Sequence, residues 1–169
     1  MAFGDGQTVP ALRLTKAGEE RPERVESAFF SVLVAECNPP ILQVVAMMFR
    51  ALGCRVSTAG GLRAAGSHLA RISFNLVVSE FNMGRVNGCQ LAAYVKARSP
   101  RTRVLIMTGL CQSEVATVMR SPGVDGWIFK PFGFEELLDV LEEMKLPRAC
   151  PCFHQTKWNA RTALPVETS

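Results

Sequence analysis

Three short apolar runs in this chain each end in one polar side chain of a different chemistry, and that pattern constrains the fold most. Asn75-Leu76-Val77-Val78-Ser79 leads into Glu80, Val104-Leu105-Ile106-Met107 into Thr108, and Trp127-Ile128-Phe129 into Lys130-Pro131-Phe132. Two further runs, Phe30 to Ala35 (followed by Glu36) and the short Arg55 to Thr58, make five. Short β-branched runs bounded by turn residues read as strands, and amphipathic stretches lie between them. That alternation is the mark of a parallel sheet with helices on both faces. The expected fold is α/β: a doubly wound, three-layer sandwich around a five-stranded parallel sheet. An acid, a hydroxyl and an amine would then meet at the carboxyl edge of the sheet, where open α/β sheets place their sites.

The helices follow from their apolar stripes. Pro39-Pro40 opens the first, which places Leu42, Val45, Phe49 and Leu52 on one face and stops at Gly53. The second, about 62–72, is interrupted by Gly66 and Ser67, and the third, about 88–98, ends before Ser99-Pro100. The fourth is expected over 112–120, before Pro122-Gly123. The fifth turns Phe134, Leu137, Leu138 and Leu141 inward and Glu135, Glu136, Asp139, Glu142 and Glu143 outward. Residues 1–27 mix Gly, Pro and both charges and are expected to be a flexible leader. The folded domain is expected over 28–146, with 147–169 a flexible tail and no output domain.

Composition narrows the function classes. Apolar residues make up 48% and charged residues 20% of the chain, an ordinary globular balance. Residues 28–145 hold 12 basic and 9 acidic side chains, without the basic stripe that tracks a phosphate backbone, which argues against nucleic acid as partner. No stretch reads as a signal peptide or reaches the roughly 20 apolar residues of a membrane span, so a cytoplasmic location without membrane attachment is expected. Six cysteines (37, 54, 89, 111, 150 and 152) are then expected to be plain buried thiols. Cys150, Cys152 and His154 lack a fourth ligand for zinc, and His68 is expected to be solvated on the weak second helix. There is no Gly-rich phosphate loop and no nucleophile–histidine pairing, so no enzymatic activity is expected.

The order and spacing of the polar groups resemble a response-regulator receiver domain, the CheY-like, flavodoxin-like module of two-component signalling, from about Phe29 to Met144. Glu36 lies 44 residues before Glu80, Thr108 lies 28 after it and Lys130 lies 50 after it. Lys130-Pro131-Phe132 before a Glu-Glu-Leu-Leu helix start strengthens the likeness. The resemblance implies an aspartate phosphoacceptor at the position of Glu80 and a Mg²⁺-holding acidic pair at Ala35 and Glu36. It also implies a switch pair at Thr108 and Trp127, a phosphate-pairing Lys130 followed by Pro131, and a proline where Gly84 stands. The chain departs at Glu80, Ala35 and Gly84.

An aspartate accepts a phosphoryl group because its short side chain sits beside a cation and a lysine that offset developing charge. Glu80 pushes its carboxylate one methylene further, toward Thr108 and Lys130. It is either a partial mimic of the activated state or a site that drifted. Glu36 and Glu80 remain the candidates for weak Mg²⁺ binding, with no other cofactor expected; alternatively Lys130 pairs with both acids. Replacing a proline with Gly84 is expected to loosen its loop. The leading expectation is a stand-alone, atypical receiver that works without phosphorylation through contact with a histidine kinase or regulator. A homodimer through the fourth helix, fifth strand and fifth helix is an associated possibility. The rival readings are a phosphate-accepting response regulator and a flavodoxin-like ligand-binding protein or enzyme.

Overall fold

Side chains in the central strands alternate between two apolar clusters, one on each face of a single sheet, as the two-residue period of a strand requires. In the computed structural model, which describes residues 29–84, 87–116 and 119–146, the elements follow a strict βα order. They are β1 (Ser31–Ala35), α1 (Pro39–Ala51), β2 (Arg55–Ala59), α2 (Leu62–Leu69), β3 (Leu76–Glu80) and α3 (Gly88–Arg98). Then come β4 (Arg103–Thr108), α4 (Gln112–Val115), β5 (Gly126–Phe129) and α5 (Phe134–Glu143). The sheet is parallel in the order β2-β1-β3-β4-β5. Val32, Val34, Leu76, Val78, Leu105, Met107 and Ile128 pack with α1 and α5. Leu33, Ala35, Val77, Val104 and Ile106 pack with α2 and α3.

The helix ends carry their own signals. Asn38 caps α1 by accepting from Ile41 N–H at 3.3 Å, Pro39 and Pro40 fill the first turn, and Gly53 takes the left-handed φ of 79° that ends it. Asn87 and Gln90 cap α3 reciprocally, at 3.1 and 3.0 Å. Three expected lengths are corrected. The second helix stops at Leu69, β3 runs through Glu80, and α4 has only 4 residues where 112–120 was expected. Pro122 follows closely, and a proline pushes the residue before it out of helical geometry. The leader, the tail and its Cys150, Cys152 and His154 lie outside the described residues.

Two further expectations are revised. Among the described cysteines only Cys54 is buried, with its thiol pushed up to about 11 by desolvation, whereas Cys37 and Cys111 are exposed and Cys89 is intermediate. The loops that carry Cys37 and Cys111 run over the surface of the sheet edge, so these thiols are not core groups. His68 is half-buried against Phe74, ring edge to face at 6.5 Å, rather than solvated. At the amino edge of the sheet, Asp125 clasps Arg103 Nη1 and Lys96 Nζ, both at 2.7 Å, and accepts from Val104 N–H at 2.8 Å. Burial opposes its charge, but the bonds from Lys96, Arg103 and Val104 prevail and hold its carboxyl below the usual value.

Candidate functional site

Strand order places the site. Chain order reverses between β1 and β3, and the crevice outside their carboxyl ends is where a doubly wound sheet can seat a ligand or a reacting group. Glu36 follows β1, Glu80 closes β3, Thr108 closes β4 and Lys130 follows β5, so the four line one edge in that order. Lys130 is anchored by its N–H to the Thr108 carbonyl at 2.7 Å, and its side chain reaches back across β4 to the crevice. There Nζ donates to Glu36 Oε2 at 2.5 Å and to Glu80 Oε2.

The remaining carboxylate oxygens are engaged as well. Glu36 Oε1 accepts from Asn38 N–H at 2.8 Å, and Glu80 Oε1 from Asn82 N–H at 3.1 Å. Each acid therefore folds back on the backbone two residues ahead while its outer oxygen holds the ammonium. Burial makes this cluster matter: side-chain exposure is 3% for Glu36, 12% for Glu80 and 16% for Lys130. Burial alone would pull the Lys130 pKa down, but its hydrogen bonds to Glu36 and Glu80 and their charges lift it above the usual lysine value.

Thr108 is buried but does not join the ion cluster; its hydroxyl accepts from Leu110 N–H at 3.1 Å. Trp127 also stands apart. It leans on Phe81 with centroids 5.7 Å apart and gives its indole N–H to Met119 O at 3.2 Å. Pro131 follows Lys130 through a cis peptide bond and is exposed. Gly84 takes φ +86°, and its N–H reaches Asn82 Oδ1 at 3.4 Å. Proline is fixed near φ −65°, so this glycine makes a turn that proline cannot, rather than simply loosening the loop. Gly88 lets α3 start hard against β3, since a Cβ there would lie 2.7 Å from Glu80 O and 2.9 Å from Ile106 Cδ1. Sequence reasoning missed the grips by Asn38 and Asn82. Both are backbone donors two residues past an acid in a turn, a spacing visible in the chain but common to many loops.

A parallel 2-1-3-4-5 sheet with acids and a lysine at its reversal point defines a CheY-like, flavodoxin-fold receiver domain. The chain belongs to the response regulator receiver domain family, whose family model matches residues 32–142, and is thereby a receiver domain of two-component signalling. It is 28% identical over 158 residues to the virulence sensor protein BvgS of Bordetella bronchiseptica, a match covering 89% of this chain and 12% of that protein. It is 36% identical over 73 residues to the response regulator protein FleR of Pseudomonas aeruginosa, covering 43% of this chain and 15% of FleR. The chain thus spans a small part of these relatives' length. The chemotaxis response regulator CheY4 of Vibrio cholerae superposes with a TM-score of 0.63 at 26% identity, over 69% of this chain and 98% of CheY4. A receiver domain from Clostridium thermocellum shares the fold at a TM-score of 0.61 and 20% identity, over 68% of this chain and 94% of that one.

The divalent cation implied by the resemblance does not fit these residues. A hard cation takes about six oxygens at close octahedral geometry. Here Lys130 holds one oxygen of each acid, backbone N–H groups hold the others, and Ala35 offers a buried methyl. Among the described residues no group of three or more His, Cys, Asp or Glu side chains is arranged to hold a metal. No described helix is long and apolar enough to cross a membrane.

Proposed function

We propose that this receiver domain signals without phosphoryl transfer, through contact with other signalling proteins such as a histidine kinase or a regulator. Glu80 is read as the residue at the phosphoacceptor position, Glu36 as the remnant of the acidic pocket, and Lys130 as the phosphate-pairing lysine. The domain is taken as residues 28–146, acting in the cytoplasm with its partners.

The observation that carries the reading is the double grip of Lys130 on Glu36 and Glu80. In-line attack on a phosphodonor needs a free carboxylate oxygen and nearby cations to offset developing charge. In this crevice the ammonium is already shared between two acids, and Glu80 has no oxygen without a hydrogen-bond partner. Glu80 paired with Lys130 supplies a fixed anion–cation contact at the strand ends in place of a transient phosphoryl group. Its single charge and two oxygens reproduce part of what a phosphoryl group, with ~1.5–2 charges and three oxygens, presents.

The test is intact mass after incubation with acetyl phosphate and Mg²⁺. The expected mass is unchanged. Stoichiometric gain of one phosphoryl group, lost in Glu80→Gln, would instead establish a phosphate-accepting regulator that uses glutamate.

A further inference from the structure

The amino edge of the sheet, opposite the ion cluster, gathers arginines that the sequence scatters. Hydrogen bonds knit this edge into one rim. Arg55 N–H donates to Phe30 O at 2.9 Å, Asn75 N–H to Ser31 O at 3.0 Å and Arg103 N–H to Asn75 O at 2.9 Å. The Thr102 hydroxyl adds a bond to Phe74 O at 2.7 Å. Arg55 opens β2, Arg71 follows α2, and Arg98 and Arg101 flank the turn from α3 into β4, all of them exposed. Two large apolar side chains stand exposed on the same edge, Phe29 at 63% and Ile72 at 48%.

Among the described residues, none of these four guanidinium groups is paired with an acid. Arg98 lies over the Tyr94 ring, 5.8 Å from its centroid. Asp125 is the acid of this edge, but Lys96, Arg103 and the Val104 N–H already hold its two oxygens. Glu142 and Glu143 end α5, which packs on the other face of the sheet from α2 and α3. Basic side chains at helix carboxyl ends complement the helix dipole, which accounts for Arg98 in the last turn of α3. It does not account for Arg55, which starts a strand, or Arg101, which lies in a turn.

We propose that this rim is a docking surface for an acidic, extended segment of a protein partner. Carboxylates of the segment would meet Arg55, Arg71, Arg98 and Arg101, and its apolar side chains would cover Phe29 and Ile72. Arginine and aromatic side chains are the residues that protein interfaces enrich. From β2 to β4 the rim crosses three strand spacings, roughly 14 Å, the length of about four extended residues. A phosphate backbone is tracked by a longer basic stripe, and aliphatic Ile72 offers no stacking face to a base. The surface lies at the opposite end of the strands from Glu80, so the inference is independent of whether Glu80 accepts a phosphoryl group.

Fluorescence anisotropy tests this with a fluorescein-labelled peptide that alternates glutamate with leucine, titrated with the full chain in dilute salt. Saturable binding with a Kd below roughly 1 mM is expected. Arg55→Gln, Arg71→Gln and Arg101→Gln should each weaken it by roughly two- to fivefold, the range of one exposed ion pair. Ile72→Ser should weaken it as well. Arg63→Gln, at the start of α2 by the opposite edge, should leave it unchanged. Absence of saturable binding overturns the proposal, and so does an equal loss in Arg63→Gln, which would mean diffuse attraction by net charge. An oligothymidylate of the same length that binds more tightly, and is weakened by the same variants, overturns the protein segment in favour of nucleic acid.

A second measurement uses the unmutated chain. Phenylglyoxal modifies accessible arginines, and mass spectrometry of the digest locates the label. The glutamate–leucine peptide should protect Arg55, Arg71 and Arg101 and leave Arg63 labelled as before. Equal labelling of all four with and without the peptide overturns the docking surface.

Discussion

Replacing Lys130 with methionine should be the most informative single change in this protein. The methionine fills the space of the lysine stem but removes the cation from two acids at once. Glu36 is almost wholly buried at 3% exposure and Glu80 nearly so at 12%, so water replaces the lost partner only in part. Breaking a buried ion pair by removing one partner costs ~3–5 kcal/mol, and the 16% exposure of Lys130 places this case toward the lower end, at about 3 kcal/mol.

Urea melts at pH 7 followed by far-ultraviolet circular dichroism give the number. Glu80→Gln and Glu36→Gln, each alone and combined with Lys130→Met, complete two double-mutant cycles. Each glutamine still offers a carbonyl oxygen to Asn38 or Asn82, so the backbone grip survives in both. Coupling of about 1 kcal/mol or more is expected in each cycle, larger for Glu36 because it is more buried. Neither glutamine alone should restore Lys130→Met fully, since the other carboxylate stays orphaned. Two coupling energies near zero would falsify the double grip, and the proposal of signalling without phosphoryl transfer would lose the observation that carries it. The alkaline limb offers an independent check. A lysine whose pKa is raised by folding contributes stability that is full below its ordinary value of about 10.4 and lost as pH rises through the elevated one. Wild type should lose that contribution at strongly alkaline pH, and Lys130→Met should have none to lose.

Gly88→Ala should destabilise by about 2 kcal/mol or more, because the added Cβ meets the Glu80 carbonyl at 2.7 Å and backbone cannot yield as a side chain tip does; a melt within 0.5 kcal/mol of wild type would refute the close approach. Asp125→Asn should cost roughly 1–3 kcal/mol, since Lys96 and Arg103 lose their shared acid. Asp125 has a depressed pKa, so its contribution is present above the ordinary aspartate value and lost as pH falls through the folded one. The difference between wild type and Asp125→Asn should therefore shrink in melts below about pH 4, and a constant gap down to pH 2 would count against the clasp.

The parts of this fold that were legible in the chain are those decided by nearby residues. Pro39-Pro40 and Gly53 bracket α1 because a first turn leaves its N–H groups without helical partners, which suits proline, and Gly53 suits a left-handed residue at the end. The strands could be read because residues such as Val32, Val34, Leu76 and Val78 alternate with partners facing the other cluster. The meeting of Lys130 with Glu80 and Glu36 was foreseeable once all three closed strands of one parallel sheet. Other features needed three dimensions. The end of α4 at Val115 sets weak propensity against whatever packing the segment finds, and no local pattern decides that contest. The Trp127 bond to Met119 depends on where a non-helical connection runs. The left-handed φ of Gly84 likewise depends on how the loop folds back to Asn82, not on glycine's freedom alone.

The ion cluster also has an electrostatic remainder. Two carboxylates face one ammonium, so in formal charges the crevice ends one unit negative. Glu114, at the start of α4 on the same edge of the sheet, adds a further acid near the β4 end. Small phosphodonors are themselves anions, and field lines from a low-dielectric cleft reach them before contact. With a Debye length of about 8 Å at physiological salt, that repulsion acts within the last few molecular diameters of approach. The expected consequence is a local repulsion of anions at the crevice, read as a slower encounter with a small anionic probe in dilute salt than at physiological salt.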